Sequence, residues 1–217
     1  MVFFHKYRAK IFAILSLIVK QKETQMIIEQ FLNQLKKISP IPQEELEKLQ
    51  KICTIKEIKK GSYFLREGEK SSEIAFVVKG LFRFTYLSLK GHEFTKSFLS
   101  ENNFLVAYSA ILQQQESHIS IEALEDSSII VIDYYEWKEL FQEELNWYKM
   151  LITILEQAFI SKEKREREFL LYDAKMRYES FLQTYPHLVG RIKQNILASY
   201  LGITPVALSN LKKDLKN

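Results

Sequence analysis

Residues 54–132 alternate short runs of β-branched and aromatic residues with turn-forming residues. The runs are TIKEI, SYFL, IAFVVK, LFRFTYLS, EFTKSFLS, ISIEAL and SSIIVI. Between them fall KKGS, REGEKSSE, KG, LKGHE, SENN and EDSS, with Gly61, Gly68, Gly80 and Gly91 at the breaks. Branched and aromatic side chains suit a pleated surface, and each run has strand length. Many short strands at this spacing predict an antiparallel barrel or jelly roll.

The flanks carry a helical period. Residues 26–52 read as MIIEQFLNQLKKI, a break at Pro40 and Pro42, then QEELEKLQKI. Proline disfavours a continuous helix there. Asp133 with Glu136 is a variant capping box that starts a helix after the last strand. From Asn146 the pattern WYKMLITILEQAFISKEKREREFLL is uninterrupted. Leu151, Leu155, Ala158 and Phe159 form its apolar stripe, widened by Ile154, while KEKRERE predicts a solvated, salt-bridged section. Such a helix pairs with a partner or packs on its own barrel. Asp173 caps a further helix, AKMRYESFLQTY, which stops before Pro186.

The C-terminal stretch reads NILASYL, then GITPVALSNL (202–211). Gly202 suits the left-handed conformation that ends a helix. Thr204 is a good N-cap and Pro205 a good first helical residue. Leu208 and Leu211 then share a face, leaving Ser209, Asn210, Lys212 and Lys213 mainly on others. Helix, turn, helix with a polar exposed side is the layout of DNA-binding units and also of ordinary helical hairpins. Net charge is only +4, which excludes a histone-like polycation. The last segment is locally basic, with Arg191, Lys193, Lys212, Lys213 and Lys216 against Asp214.

The single cysteine, Cys53, excludes a disulfide framework and a cysteine metal site within the chain. It sits among Leu49, Ile52 and Ile55 and is expected to be a buried small apolar residue, in keeping with the cytoplasm. At the N-terminus a basic segment (His5, Lys6, Arg8, Lys10) precedes IFAILSLIV, a run too short to span a bilayer. A weak signal-like segment, a membrane-surface helix and an early start with Met26 as the true first residue are the options. The coherent design from Met26 onward favours the last, and no stable membrane association is expected.

In this order, strands, long helix and helix-turn-helix resemble the Crp/Fnr family of transcriptional regulators. The resemblance rests on KKGSYFLREGE, FVVKGLFRFTY, KGHE, NNF, IEALEDSSI and RIKQNILASYLGITPVALSNLKK. It implies an α+β chain: a cyclic nucleotide-binding-like β-roll or jelly roll over 26–145, a dimerisation helix over 146–171 and a helix-turn-helix domain over 172–217. Residues 1–25 are an extension. The stripe Leu151, Ile154, Leu155, Ala158 and Phe159 would pair in the dimer, and Thr204, Pro205, Val206, Ser209, Asn210, Lys212 and Lys213 would face DNA.

The resemblance also marks departures. Members that bind cyclic AMP carry a Gly-Glu pair that falls here at Val106 and Ala107, and an arginine that falls at Ser117. Charge-assisted bonds to ribose and cyclic phosphate are then missing. An effector pocket would be lined by Phe104, Val106, Ala107, Tyr108, Ser117 and His118, suiting a less charged ligand than cyclic AMP. The base-reading Arg-Glu pair and later arginine of well-known members are replaced by Pro205, Val206 and Asn210. Asn210 can pair with an adenine edge, Val206 can touch a thymine methyl, and Lys212 and Lys213 would meet phosphates. The sequence after this helix leaves no room for the wing hairpin of many members.

The expected function is a dimeric DNA-binding regulator with an unknown effector and no cofactor, with DNA, a second copy and RNA polymerase as partners. A sensor or interaction protein without sequence-specific DNA binding is the alternative. A cupin-like metalloenzyme ranks below both. Its four histidines, His5, His92, His118 and His187, are dispersed and form no His-x-His. No metal site, catalytic residue, phosphate loop or dinucleotide fingerprint is read, so no enzyme is expected.

Overall fold

The computed structural model describes the backbone of residues 2–215 and the side chains of residues 15–19 and 21–215. Lys216 and the side chain of His5 lie outside the described residues. Among the described residues the strands are β1 (Thr54–Ile58), β2 (Tyr63–Leu65), β3 (Glu73–Lys79), β4 (Leu81–Leu87), β5 (Glu93–Ser100), β6 (Phe104–Leu105), β7 (Ser120–Ala123) and β8 (Ser127–Asp133). They form two antiparallel sheets, ordered β1-β8-β3-β6 and β2-β7-β4-β5. Every strongly patterned run is a strand. The two-residue β6 falls below any sequence period and is recruited by pairing with Ala75 and Phe76.

Alternation along the strands sorts side chains into separate clusters. On β8, Ile129 and Val131 point into the roll, where Leu65, Phe82, Phe84, Leu105 and Ile121 fill the space between the sheets. Ile130 and Ile132 point outward and meet helices. Period-two burial on both faces gives the near-continuous apolar SSIIVI.

The helical layer against the first sheet comprises α1 (Val2–Ile38), α2 (Gln43–Lys51), α4 (Tyr134–Glu139) and the start of α5 (Asn146–Leu171). Phe31, Leu35, Leu46, Leu49, Trp137 and Trp147 are its buried centre. Asp133 caps α4, accepting from the amides of Tyr135 and Glu136 at 2.8 and 3.2 Å, a cap worth about 1 kcal/mol. The α1 backbone continues across Met26 without interruption. Among its described side chains the first buried one is Ile28, whereas Leu15, Leu17, Ile18, Val19 and Met26 are exposed. Among the described residues no helix is long and apolar enough to cross a membrane.

A short α3 (Tyr108–Gln113) follows β6. The C-terminal unit is α6 (Ala174–Thr184), α7 (Gln194–Leu201) and α8 (Pro205–Asp214). Asp173 caps α6, accepting from Met176 N at 2.9 Å. This unit is seated on the outer face of the second sheet. Leu81, Phe98 and Leu124 of the roll share one buried cluster with Phe181, Leu197, Tyr200, Leu201 and Leu208.

Candidate nucleic-acid interface

The turn between α7 and α8 is held as its residues dictate. Gly202 ends α7 at φ +67°, and an added Cβ would come within 2.7 Å of the Phe169 ring. The left-handed backbone there favours glycine, and the Phe169 ring would have to move aside for any side chain. Thr204 Oγ1 accepts from Ala207 N at 3.1 Å, and Pro205 opens α8. Leu208 is wholly buried beneath.

Of the seven residues expected to face DNA, Thr204, Pro205, Val206, Asn210 and Lys213 are exposed. Val206 stands 70% exposed. Ser209 and Lys212 are half-buried, and the Lys212 ammonium lies 5.9 Å from the centre of the Tyr178 ring.

The basic patch is smaller than the sequence implies. Arg191 does not join it. Its Nε and Nη2 donate to Glu125 at 3.0 and 2.7 Å, and its Nη1 and Nη2 to Glu101 at 3.1 and 2.9 Å. Those carboxylates, in turns of the roll, neutralise a cation that the local sequence shows as unopposed. Burial raises the Glu101 carboxyl, but bonds from Arg191 and the Gly80 amide outweigh it and hold the group at about 2. Nearby, Thr95 N donates to Ser199 Oγ of α7 at 2.9 Å.

The run KEKRERE is likewise only partly solvated. Arg167 pairs with Glu163 at 3.4 Å on the surface, as expected of an i,i+4 pair. Arg165 turns inward, donating to the carbonyl of Tyr200 and lying 3.8 Å from that ring's centre. Glu168 is buried and accepts from Ser180 Oγ at 2.6 Å, tying α5 to α6. Within the expected dimer stripe, Leu151 and Ile154 pack against the protein's own helical cluster. Leu155, Ala158 and Phe159 are exposed, as is Ile152, which the sequence reading left out.

The six residues expected to line an effector pocket do not converge. Phe104, Val106 and Tyr108 pack against the helical cluster outside the first sheet. The Phe104 ring stands 5.3 Å from Phe76 and 6.4 Å from Phe31. Ala107 is buried inside the roll. Ser117 is buried, its hydroxyl donating to Ile119 O at 2.8 Å and accepting from Ile119 N at 3.1 Å. His118 is exposed. An open depression lies elsewhere, between Lys70–Ser72 and Ala110, Gln114, Gln115 and Tyr135. No predicted pocket residue lines it.

Residues 55–144 match the family model of the cyclic nucleotide-binding domain. The match spans the roll from β1 to the helix that follows β8. FixK2 from Bradyrhizobium japonicum superimposes with a TM-score of 0.68 at 17% identity, over 76% of this chain and 85% of that one. A Crp/Fnr-family protein from Eubacterium rectale gives 0.67 at 16%, over 82% and 84%. CLP of Xanthomonas campestris, a c-di-GMP responsive global regulator, gives 0.65 at 13%, over 81% and 92%. The chain shares the fold of these proteins. No curated protein matches it by sequence.

The roll is apolar inside. Phe82, Phe84, Leu105 and Ile121 occupy its interior, and Ser117 spends its hydroxyl on backbone. The described histidines are dispersed. His92 is exposed in the β4–β5 turn and His118 is on the surface, while His187 belongs to the C-terminal unit, 3.3 Å from Ser100 Oγ of the roll. Among the described residues no group of three His, Cys, Asp or Glu is placed to hold a metal ion.

Proposed function

We propose that this protein is a dimeric, DNA-binding transcriptional regulator of Crp/Fnr type whose cyclic nucleotide-binding domain answers to an effector other than cyclic AMP. The observation that carries the reading is α8, capped by Thr204 and anchored by buried Leu208, with Val206, Asn210 and Lys213 turned to solvent. A helix presented by its N-terminal residues is the form that enters a major groove. Asn210 would pair with an adenine edge, Val206 would meet a thymine methyl, and Lys213 would meet a phosphate. Dimerisation would run along α5, where Ile152, Leu155 and Phe159 are exposed at i, i+3 and i+7, the spacing of a coiled-coil seam. Two reading helices would then address successive grooves about 34 Å apart.

Cyclic AMP is a poor fit because neither Ala107 nor Ser117 can answer its ribose or phosphate with charge. A cytoplasmic place follows from the DNA reading. A sensor without sequence-specific DNA binding is the second reading, favoured by Pro205 and Val206, which leave the first turn of α8 apolar.

Recovery of genomic DNA by the purified protein at two salt concentrations tests this, beside an Asn210→Ala, Lys213→Ala variant. The expected result is a shared palindromic motif, weakened in the variant. Diffuse, salt-labile binding that is identical in both proteins would refute sequence reading by α8.

A further inference from the structure

The C-terminal unit is joined to the roll by more than apolar contact. Glu101 directly follows β5, and Glu125 lies in the turn after β7, so one guanidinium of the reading unit is gripped by two turns of the roll. Glu101 is itself fixed, because it accepts from the Gly80 amide at 3.0 Å. Four bonds reach the fork of Arg191, a geometry a lysine cannot reproduce. Across the Phe98–Tyr200 contact, Ser199 Oγ accepts from Thr95 N on the same sheet.

None of these contacts covers α8. Thr204, Val206, Asn210 and Lys213 stay exposed. The grip therefore orients the reading face without hiding it. A dimer gains from its second head only when that head is already aimed at its half-site.

We propose that Arg191 is a positioning residue, which through Glu101 and Glu125 fixes the reading helix against the sensor roll in the DNA-competent orientation. This rests on the reading of α8 as the DNA-reading helix. It also gives the roll a route to the head through β4, β5 and β7, separate from α5. The rival role for Arg191 is a phosphate contact, and the two roles predict opposite signs. Neutralising the glutamates would free Arg191 and tighten DNA binding if it were a phosphate ligand. It would loosen the head if they grip it.

The test uses the full chain with Arg191→Gln, Arg191→Lys and a Glu101→Gln, Glu125→Gln double variant. Affinity is measured for the recovered palindrome and for a single half-site, and hydrogen exchange is followed at the Thr95 amide. Arg191→Gln and the glutamate double variant should each weaken palindrome binding by about tenfold or more, with half-site affinity within about twofold. Arg191→Lys should fall between. Thr95 should exchange faster in all variants, while amides of β8 keep their protection. Unchanged or tighter palindrome binding by the glutamate variant overturns the proposal, as does unchanged exchange at Thr95. If the wild type recovers no palindrome, the DNA reading fails, and the Thr95 amide still decides whether the grip exists.

Discussion

Trimming Phe98 to alanine should detach the C-terminal unit before it disturbs the rest. Phe98 is 3% exposed, and its ring centre lies 5.1 Å from Tyr200 and 6.3 Å from Phe181. A buried Phe→Ala change costs about 3–5 kcal/mol, depending on how far the site collapses. The loss falls on one side. The roll keeps its interior cluster and its helical cluster, whereas the helices α6–α8 share their only described core with the Phe98 face. Both tryptophans, Trp137 and Trp147, lie in the helical cluster, so their emission is blind to the C-terminal unit. Far-UV ellipticity counts all helices. In urea the wild type should show one transition by both probes. In Phe98→Ala the ellipticity should begin to fall first. With an m-value of about 2 kcal/mol/M, a 3–5 kcal/mol loss separates the midpoints by about 1.5–2.5 M. Coincident transitions in the variant would refute the one-sided loss, and a shift under about 1 kcal/mol would refute the idea that this ring holds the seat.

Three further outcomes follow from single groups. Gly80→Ala places a Cβ 2.0 Å from Ser127 Oγ and 2.9 Å from Ser127 Cα at φ +121°, a clash with backbone that no rotamer relieves. Strain and overpacking of about 1–3 kcal/mol each should lower the thermal midpoint by at least about 4 °C in calorimetry. Because the Glu101 carboxyl is depressed to about 2 from an ordinary 4.5, its contribution is complete above 4.5 and fades as pH falls toward 2. Urea midpoints between pH 4.5 and 2.5 should therefore decline more steeply in the wild type than in Glu101→Gln, and parallel declines would count against the pairing. Burial pushes the Cys53 thiol up to about 12, and its Sγ donates to Leu49 O at 3.3 Å. Cys53 is half-buried rather than buried, so an aromatic disulfide reagent at pH 8 should react with it much more slowly in the native protein than in denaturant, and equal rates would disprove its shielding.

Local chemistry was legible where it needs only neighbours. The strands other than β6, the Asp133, Asp173 and Thr204 caps and the Gly202 turn follow from side chains within a few residues. Distant pairing was not. Arg191 looks like a free cation because its partners, Glu101 and Glu125, lie 90 and 66 residues away. A hint existed, since both glutamates sit in turns where strand pairing leaves carboxylates free to reach out. The expected dimer stripe divides for a related reason. Period 3.6 marks apolar positions on α5 but cannot say which of them the protein covers itself, so Leu151 and Ile154 went with Leu155 and Phe159. The expected effector set failed to converge because β6 and its neighbours alternate. Consecutive residues such as Val106 and Ala107 enter different cores.

The bond from Thr95 to Ser199 has a consequence for solubility. β5 is the outermost strand of its sheet, and a bare outermost strand is a template on which another chain can add. In the whole protein α7 lies along it, takes one of its amides and covers Phe98. A truncated chain ending after α5 would uncover both the backbone ladder and the apolar face, and should assemble with itself through β5. For this fold, the C-terminal helices also serve as the sheath over the outermost strand of the roll.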